Sequence, residues 1–114
     1  MVDADRRALW LRGVLDLCLL AALRDRDRYG YELAQLLENV GLGRIKGGTL
    51  YPVLRRLADS GLVTTDWRPG ASGPGRKYYA LSPTGIALLE RQSALWLTFD
   101  DAVRTVLDST GGTP

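Results

Sequence analysis

Gly48-Thr49-Leu50-Tyr51-Pro52, running straight into Val53-Leu54-Arg55-Arg56-Leu57, decides how this chain folds. Its apolar residues stand at 50, 53, 54 and 57, the spacing of one helix face. The other face carries Tyr51, Arg55 and Arg56. The run opens on glycine and threonine, small enough for a phosphate to approach the backbone closely. Pro52 is expected in the first turn, where its missing N–H would have lacked a partner anyway. Gly61 stands where such a helix should stop. A short helix buried on one side, with arginine and tyrosine on the other, has the form of a major-groove reader.

Upstream of it, a helix is expected from about Leu9 to Leu23, with Leu11, Val14, Leu15, Cys18, Leu19 and Ala22 on a broad stripe. The run Arg24-Asp25-Arg26-Asp27-Arg28 mixes signs and reads as a solvated turn. A second helix should start near Tyr29-Gly30-Tyr31-Glu32 and continue through Leu33, Ala34, Leu36 and Leu37 until Gly41 and Gly43 break it. After Gly61 the texture changes. Leu62–Trp67 and Lys77–Leu81 are rich in β-branched and aromatic residues, and the Pro- and Gly-rich stretch 68–76 between them is a loop. Three helices followed by a hairpin make a winged helix-turn-helix.

Ser82 is a good N-cap and Pro83 a good first helical residue for a last helix reaching about Asp108. That is longer than a three-helix core can cover. Its apolar residues recur in heptad rows: Leu88, Leu95 and Ala102; Phe99 and Val106; Leu89, Trp96 and Val103. So wide a stripe on a projecting helix needs a partner, most simply the same helix of a second copy. The expected fold is mainly α with a small β-hairpin. Residues 1–82 form a winged helix-turn-helix DNA-binding domain, 83–108 a dimerisation helix and 109–114 a disordered tail.

The 114 residues suit one small domain, which gains from association because it buries a modest share of its surface. The net charge is only +2, but it is unevenly spread. Between positions 44 and 77 seven basic residues face two acids, a net +5, whereas both flanks are net acidic. Such a middle third is an electrostatic footprint for a polyanion. Cys18 is the one cysteine and there is no histidine, which excludes an intrachain disulfide and histidine-based general-base catalysis. No metal-ligand spacing is present, so no cofactor and no metal are expected, and the chain is not expected to be an enzyme. With no signal peptide apparent and Val14–Leu23 too short to span a bilayer, a cytoplasmic, membrane-free setting is expected.

Three motifs in order carry a family resemblance over roughly residues 11–107. They are Tyr29-Gly30-Tyr31-Glu32, the run Gly48–Pro52 with Leu54, Leu57, Gly61 and Leu62, and Gly75-Arg76-Lys77-Tyr78-Tyr79 leading to Leu81-Ser82 and Gly85. Together they resemble the PadR family of bacterial transcriptional regulators, in its short form with a single C-terminal helix. Lys46, Ala58 and Ser82 depart from the commoner small polar residue, acid and threonine. The resemblance implies a homodimeric repressor that binds palindromic double-stranded DNA, with no membrane association. It also implies a pore between subunits where a tryptophan of the last helix stacks flat hydrophobic drugs.

Candidate DNA contacts are Lys46, Gly48, Thr49, Tyr51 and Arg55 at the reading helix, with Arg68, Arg76 and Lys77 on the wing. The alternative for Tyr51 is partial burial with a bonded hydroxyl, and for Arg56 a solvated side chain. Candidate effector contacts are Val14, Leu15, Trp96, Phe99 and Asp100, the carboxylate favouring a cationic planar aromatic. The alternative for Trp96 is plain interface packing. Candidate dimerisation residues are Leu88, Leu95, Phe99, Ala102, Val103 and Val106. A winged helix serving as a protein-interaction module without an effector is the competing functional class. Steep salt dependence of DNA binding separates the two.

Overall fold

The computed structural model describes residues 2–70 and 72–110. In chain order they form α1 (Val2–Arg12), α2 (Leu15–Ala22), β1 (Arg28–Tyr29), α3 (Gly30–Asn39), α4 (Gly47–Asp59), β2 (Val63–Arg68), β3 (Arg76–Leu81) and α5 (Pro83–Thr110). The sheet is antiparallel, in the order β1-β3-β2.

Two helices end in the same way. Gly41 (φ +103°) and Gly61 (φ +75°) take the left-handed conformation that side chains resist. Beyond them the amides of Leu42 and Leu62 donate back to Leu37 O and Leu57 O, at 3.0 and 2.9 Å. Each stop turns the chain and returns a leucine toward the core. That core holds Leu15, Leu19 and Leu20 of α2, Leu33 and Leu37 of α3, Leu50, Leu54 and Leu57 of α4, Val63 and Tyr79 of the hairpin, and Leu89 of α5.

The expected helix over residues 9–23 is two helices. Gly13 and Val14 donate to Trp10 O and Leu11 O, three residues back, at 3.2 and 3.0 Å. That tightened turn, at a glycine with poor helix propensity, ends α1 and redirects the chain into α2. Both helices still feed the core, through Leu11, Leu15, Leu19 and Ala22.

The solvated turn expected at Arg24–Arg28 is also revised, since its end belongs to the sheet. Arg28 pairs with Tyr79 and Tyr29 with Tyr78. The Arg28 side chain is mostly buried, its Nε donating to Ala22 O at 2.8 Å.

Pro52 is the sixth residue of α4 and does not lie in its first turn. The helix starts early because the amides of Thr49 and Leu50 both donate to Lys46 O at 2.9 Å. Proline then withholds a donor from Gly48 O, but residues 46–49 are exposed and water can take its place.

The C-terminal helix begins as expected. Ser82 Oγ accepts from Gly85 N at 3.0 Å and donates to Gly61 O at 2.6 Å, so one side chain caps α5 and fastens it to the end of α4. Leu89 is fully buried and Leu88 packs against the same core, so the first turns of α5 are part of the winged unit. Leu88, expected at the dimer contact, is partly covered by its own chain and partly open. From Leu95 onward the helix projects, and its 28 residues span about 42 Å. It continues through Ser109 and Thr110, two of the residues expected in a disordered tail; 111–114 lie outside the described residues.

Candidate functional site

Strand alternation sends Thr65 and Trp67, opposite Tyr79 and Lys77, to the sheet face that meets α4. Between this face and α4 runs a groove of about 730 Å³. Tyr51 and Arg55 line it from the helix, and Arg76 and Lys77 from the wing. Asp59 is the one carboxylate among its lining residues, against three cations. Tyr79 is buried at its base, and burial, with Tyr51 close by, holds its phenol above the ordinary tyrosine value. The floor is therefore neutral at physiological pH, and the groove keeps its positive sign.

The side chains in it are braced. A Cβ added at Gly30 would stand 2.6 Å from the Tyr51 hydroxyl, so only glycine lets that ring lie across the start of α3. Tyr51 remains 51% exposed and no hydrogen bond engages its hydroxyl among the described residues, so the reading as a buried, bonded tyrosine does not apply. Arg76 lies over the Tyr29 ring at 4.6 Å, and Lys77 Nζ is 5.9 Å from the Tyr79 ring. Tyr29 in turn meets Tyr78 edge-on at 5.4 Å. Sequence reasoning missed this support because a two-residue strand has no periodicity to detect.

Not every expected residue converges here. Arg68 stands apart from the groove: its guanidinium reaches Asp27 at 2.7 Å and Asp66 at 3.3 Å and lies 4.3 Å over Tyr78. It ties the wing to the turn before β1. Lys46 and Thr49 line a different cleft, on the α1 side of α4. Gly48 is exposed beside them, in the first turn where helix amides lack intrahelical acceptors. Arg56 is exposed and lies outside the groove.

A second, largely apolar cleft of about 810 Å³ opens between α1 and the projecting half of α5. Val14, Trp96, Phe99 and Asp100 all line it, as expected of effector contacts. Leu15 does not: it is 2% exposed in the core, because the break at Gly13 turns it inward. Asp100 already has a partner in Arg104, at 3.1 Å one turn on, which weakens its pull on a cationic ligand. Trp10 lines the same cleft, a residue the sequence reading left unused because it did not foresee α1 as a separate helix. Leu95, Phe99, Ala102, Val103 and Val106 are exposed along α5, the pattern of an unpartnered stripe. Burial, with the neighbouring Asp16, raises the Cys18 thiol above its ordinary value, which disfavours the nucleophilic thiolate. No helix among the described residues is long and apolar enough to cross a membrane.

Comparison with known proteins agrees with this geometry. The model of the "Transcriptional regulator PadR-like family" matches residues 19–91. The transcriptional regulator Rv3488 of Mycobacterium tuberculosis is 36% identical over 85 residues, covering 74% of this chain and 78% of that protein. Among solved structures, a PadR family transcriptional regulator from Eggerthella lenta superposes with a TM-score of 0.77 at 36% identity, over 90% of each chain. Bacillus subtilis PadR, solved in complex with operator DNA, superposes with a TM-score of 0.64 at 26% identity, over 69% of this chain and 46% of that one.

Proposed function

The chain belongs to the PadR-like family of transcriptional regulators, a family of regulators and not of enzymes, and from that premise we propose that it is a homodimeric repressor. In this reading it binds palindromic operator DNA and is released by a planar aromatic or cationic effector. The groove that gathers Tyr51, Arg55, Arg76 and Lys77 around a neutral floor carries the DNA part. Its similarity to a PadR crystallised on operator DNA supports the same assignment.

In this reading Thr49, Tyr51 and Arg55 meet base edges and the adjacent phosphates, while an amide near Gly48 and the Lys46 ammonium take phosphate. Arg76 and Lys77 hold the flanking backbone from the wing. Arg68 is left out, being committed to two carboxylates of its own chain. Arg55→Ala should weaken binding about 5- to 150-fold per half-site, the loss of a base-directed arginine, and relax preference at one position of each half-site. Fluorescence anisotropy on a duplex footprinted upstream of the protein's own gene measures both. An unchanged affinity, or a footprint with no paired half-sites, counts against the assignment.

Dimerisation through α5 is supported by the exposed row from Leu95 to Val106, a surface too apolar to remain wet on a projecting helix. The effector reading rests on Trp96 and Phe99, which place two aromatic rings in the same cleft as Trp10. A flat cationic dye should quench the emission of Trp96 and its cleft neighbour Trp10 in the native protein, and Trp96→Ala should weaken dye binding and remove most of that quenching while Trp67 remains as background. Equal quenching in the variant would leave Trp96 as interface packing alone.

A further inference from the structure

The DNA reading uses Lys46 and Thr49 but gives no role to the arginines beside them. Arg7 and Arg12 of α1 share a cleft of about 470 Å³ with Arg44 and Lys46 of the loop entering α4, and with Thr49 of its first turn. We propose that this cleft is a second phosphate grip, in which α1 holds the DNA backbone beside the reading helix.

Three observations lead there. No carboxylate lines the cleft, and none of the four cations has an ion pair among the described residues. Arg26, Arg28, Arg68 and Arg104 each have a carboxylate within ion-pair distance, whereas here four unpaired cations share one concavity. Four like charges in one concavity repel, and a bound anion reverses the sign of that interaction.

The second observation is position. Lys46 and Thr49 belong to the entry of α4, and Tyr51 and Arg55 line the groove on its other side. A duplex seated at the start of α4 therefore carries backbone past both clefts. The third is exposure: all four basic side chains are open to solvent, and no buried polar group waits at the bottom. Four exposed cations spread along one cleft suit an extended polyanion better than a single free phosphate, and the occupant is the DNA backbone.

The inference rests on the DNA-binding reading, and its test separates the two. Wild-type protein and Arg7→Ala/Arg12→Ala are titrated against a duplex of about 30 base pairs, three helical turns, over a range of salt. Losing two phosphate contacts in each subunit, four across the dimer, should lower the slope of log affinity against log salt by about 3.6 and the affinity by about 10³-fold at 0.15 M salt. Sequence preference should not change, since phosphate contacts carry no base information. Arg7→Lys/Arg12→Lys should restore the slope, and melting curves should overlay because both side chains are exposed.

A wild type that binds with the usual steep slope, and an alanine variant with the same slope, would overturn the grip and leave the reading helix untouched. A wild type that ignores duplex DNA at low salt removes both. Inorganic phosphate protecting the wild type but not the variant from heat, with the DNA slope unchanged, would make the cleft a small-anion site and overturn the proposal as well.

Discussion

Gly85→Ala is expected to destabilise the fold by about 3 kcal/mol, near the upper end for forcing a methyl into packed structure. A Cβ at this position overlaps the carbonyl oxygen of Leu62 and stands 3.3 Å from Leu81 Cδ2. The obstacle is backbone, so no side-chain rotation relieves it. Leu62 O is also the acceptor for Ser82 N at 3.1 Å, and Ser82 Oγ joins Gly61 O to Gly85 N. Pushing α5 away opens the whole joint between α4, the wing and the last helix. For a chain of this size the melting midpoint should fall by about 10–20 °C. Gly48→Ala is the control: nothing lies within 4 Å of its added Cβ, and alanine favours a helix, so stability should hold or rise. A Gly85→Ala protein that melts with the wild type would show that α5 is not seated as described.

Val103→Glu is expected to leave each copy folded and to abolish the proposed dimer. Val103 is 41% exposed and lies outside the buried core cluster, so the winged unit loses nothing essential. Across a two-fold interface, however, the new carboxylate meets its own copy, with Asp100 one turn away on the same face. Sedimentation should report a monomer. Affinity for a two-half-site duplex should drop by about 10²–10⁴, the gain that linking two binding events provides. A dimer that persists with full affinity would place the subunit contact on another surface, and the α5 stripe would need a different occupant.

These two experiments probe parts of the molecule that differ in how far one-dimensional reasoning reaches. The winged helix-turn-helix was readable because each of its signals is local. Apolar spacing at 50, 53, 54 and 57 became the buried face of α4, and Gly41 and Gly61 became left-handed stops. Ser82 and Pro83 opened α5 at the expected residue. Where the reading failed locally, it missed backbone detail: the acceptor role of Lys46 O, which moved the start of α4 and displaced Pro52, and the turn at Gly13.

The candidate sites were less legible. That Tyr51, Arg55, Arg76 and Lys77 come to one groove follows from hairpin pairing against α4, and the pattern of charges foresaw it in outline. Arg68 lay in the same basic third and looked equivalent to Arg76. Its place outside the groove goes with its pairing to Asp27, a residue 41 positions earlier in the chain. Leu15 looked equivalent to Val14, yet one is core and the other lines a cleft, because the chain turns between α1 and α2.

Helix spacing, stops and caps act through atoms a turn or two apart, so this chain's residues settle most of its elements and their order locally, the break between α1 and α2 and the short strand β1 excepted. Which cations stay unpaired and which apolar faces stay uncovered is decided only when distant segments meet. Ion pairing and burial depend on separation in space, and spatial neighbours such as Asp27 and Arg68 leave no periodic mark along the chain.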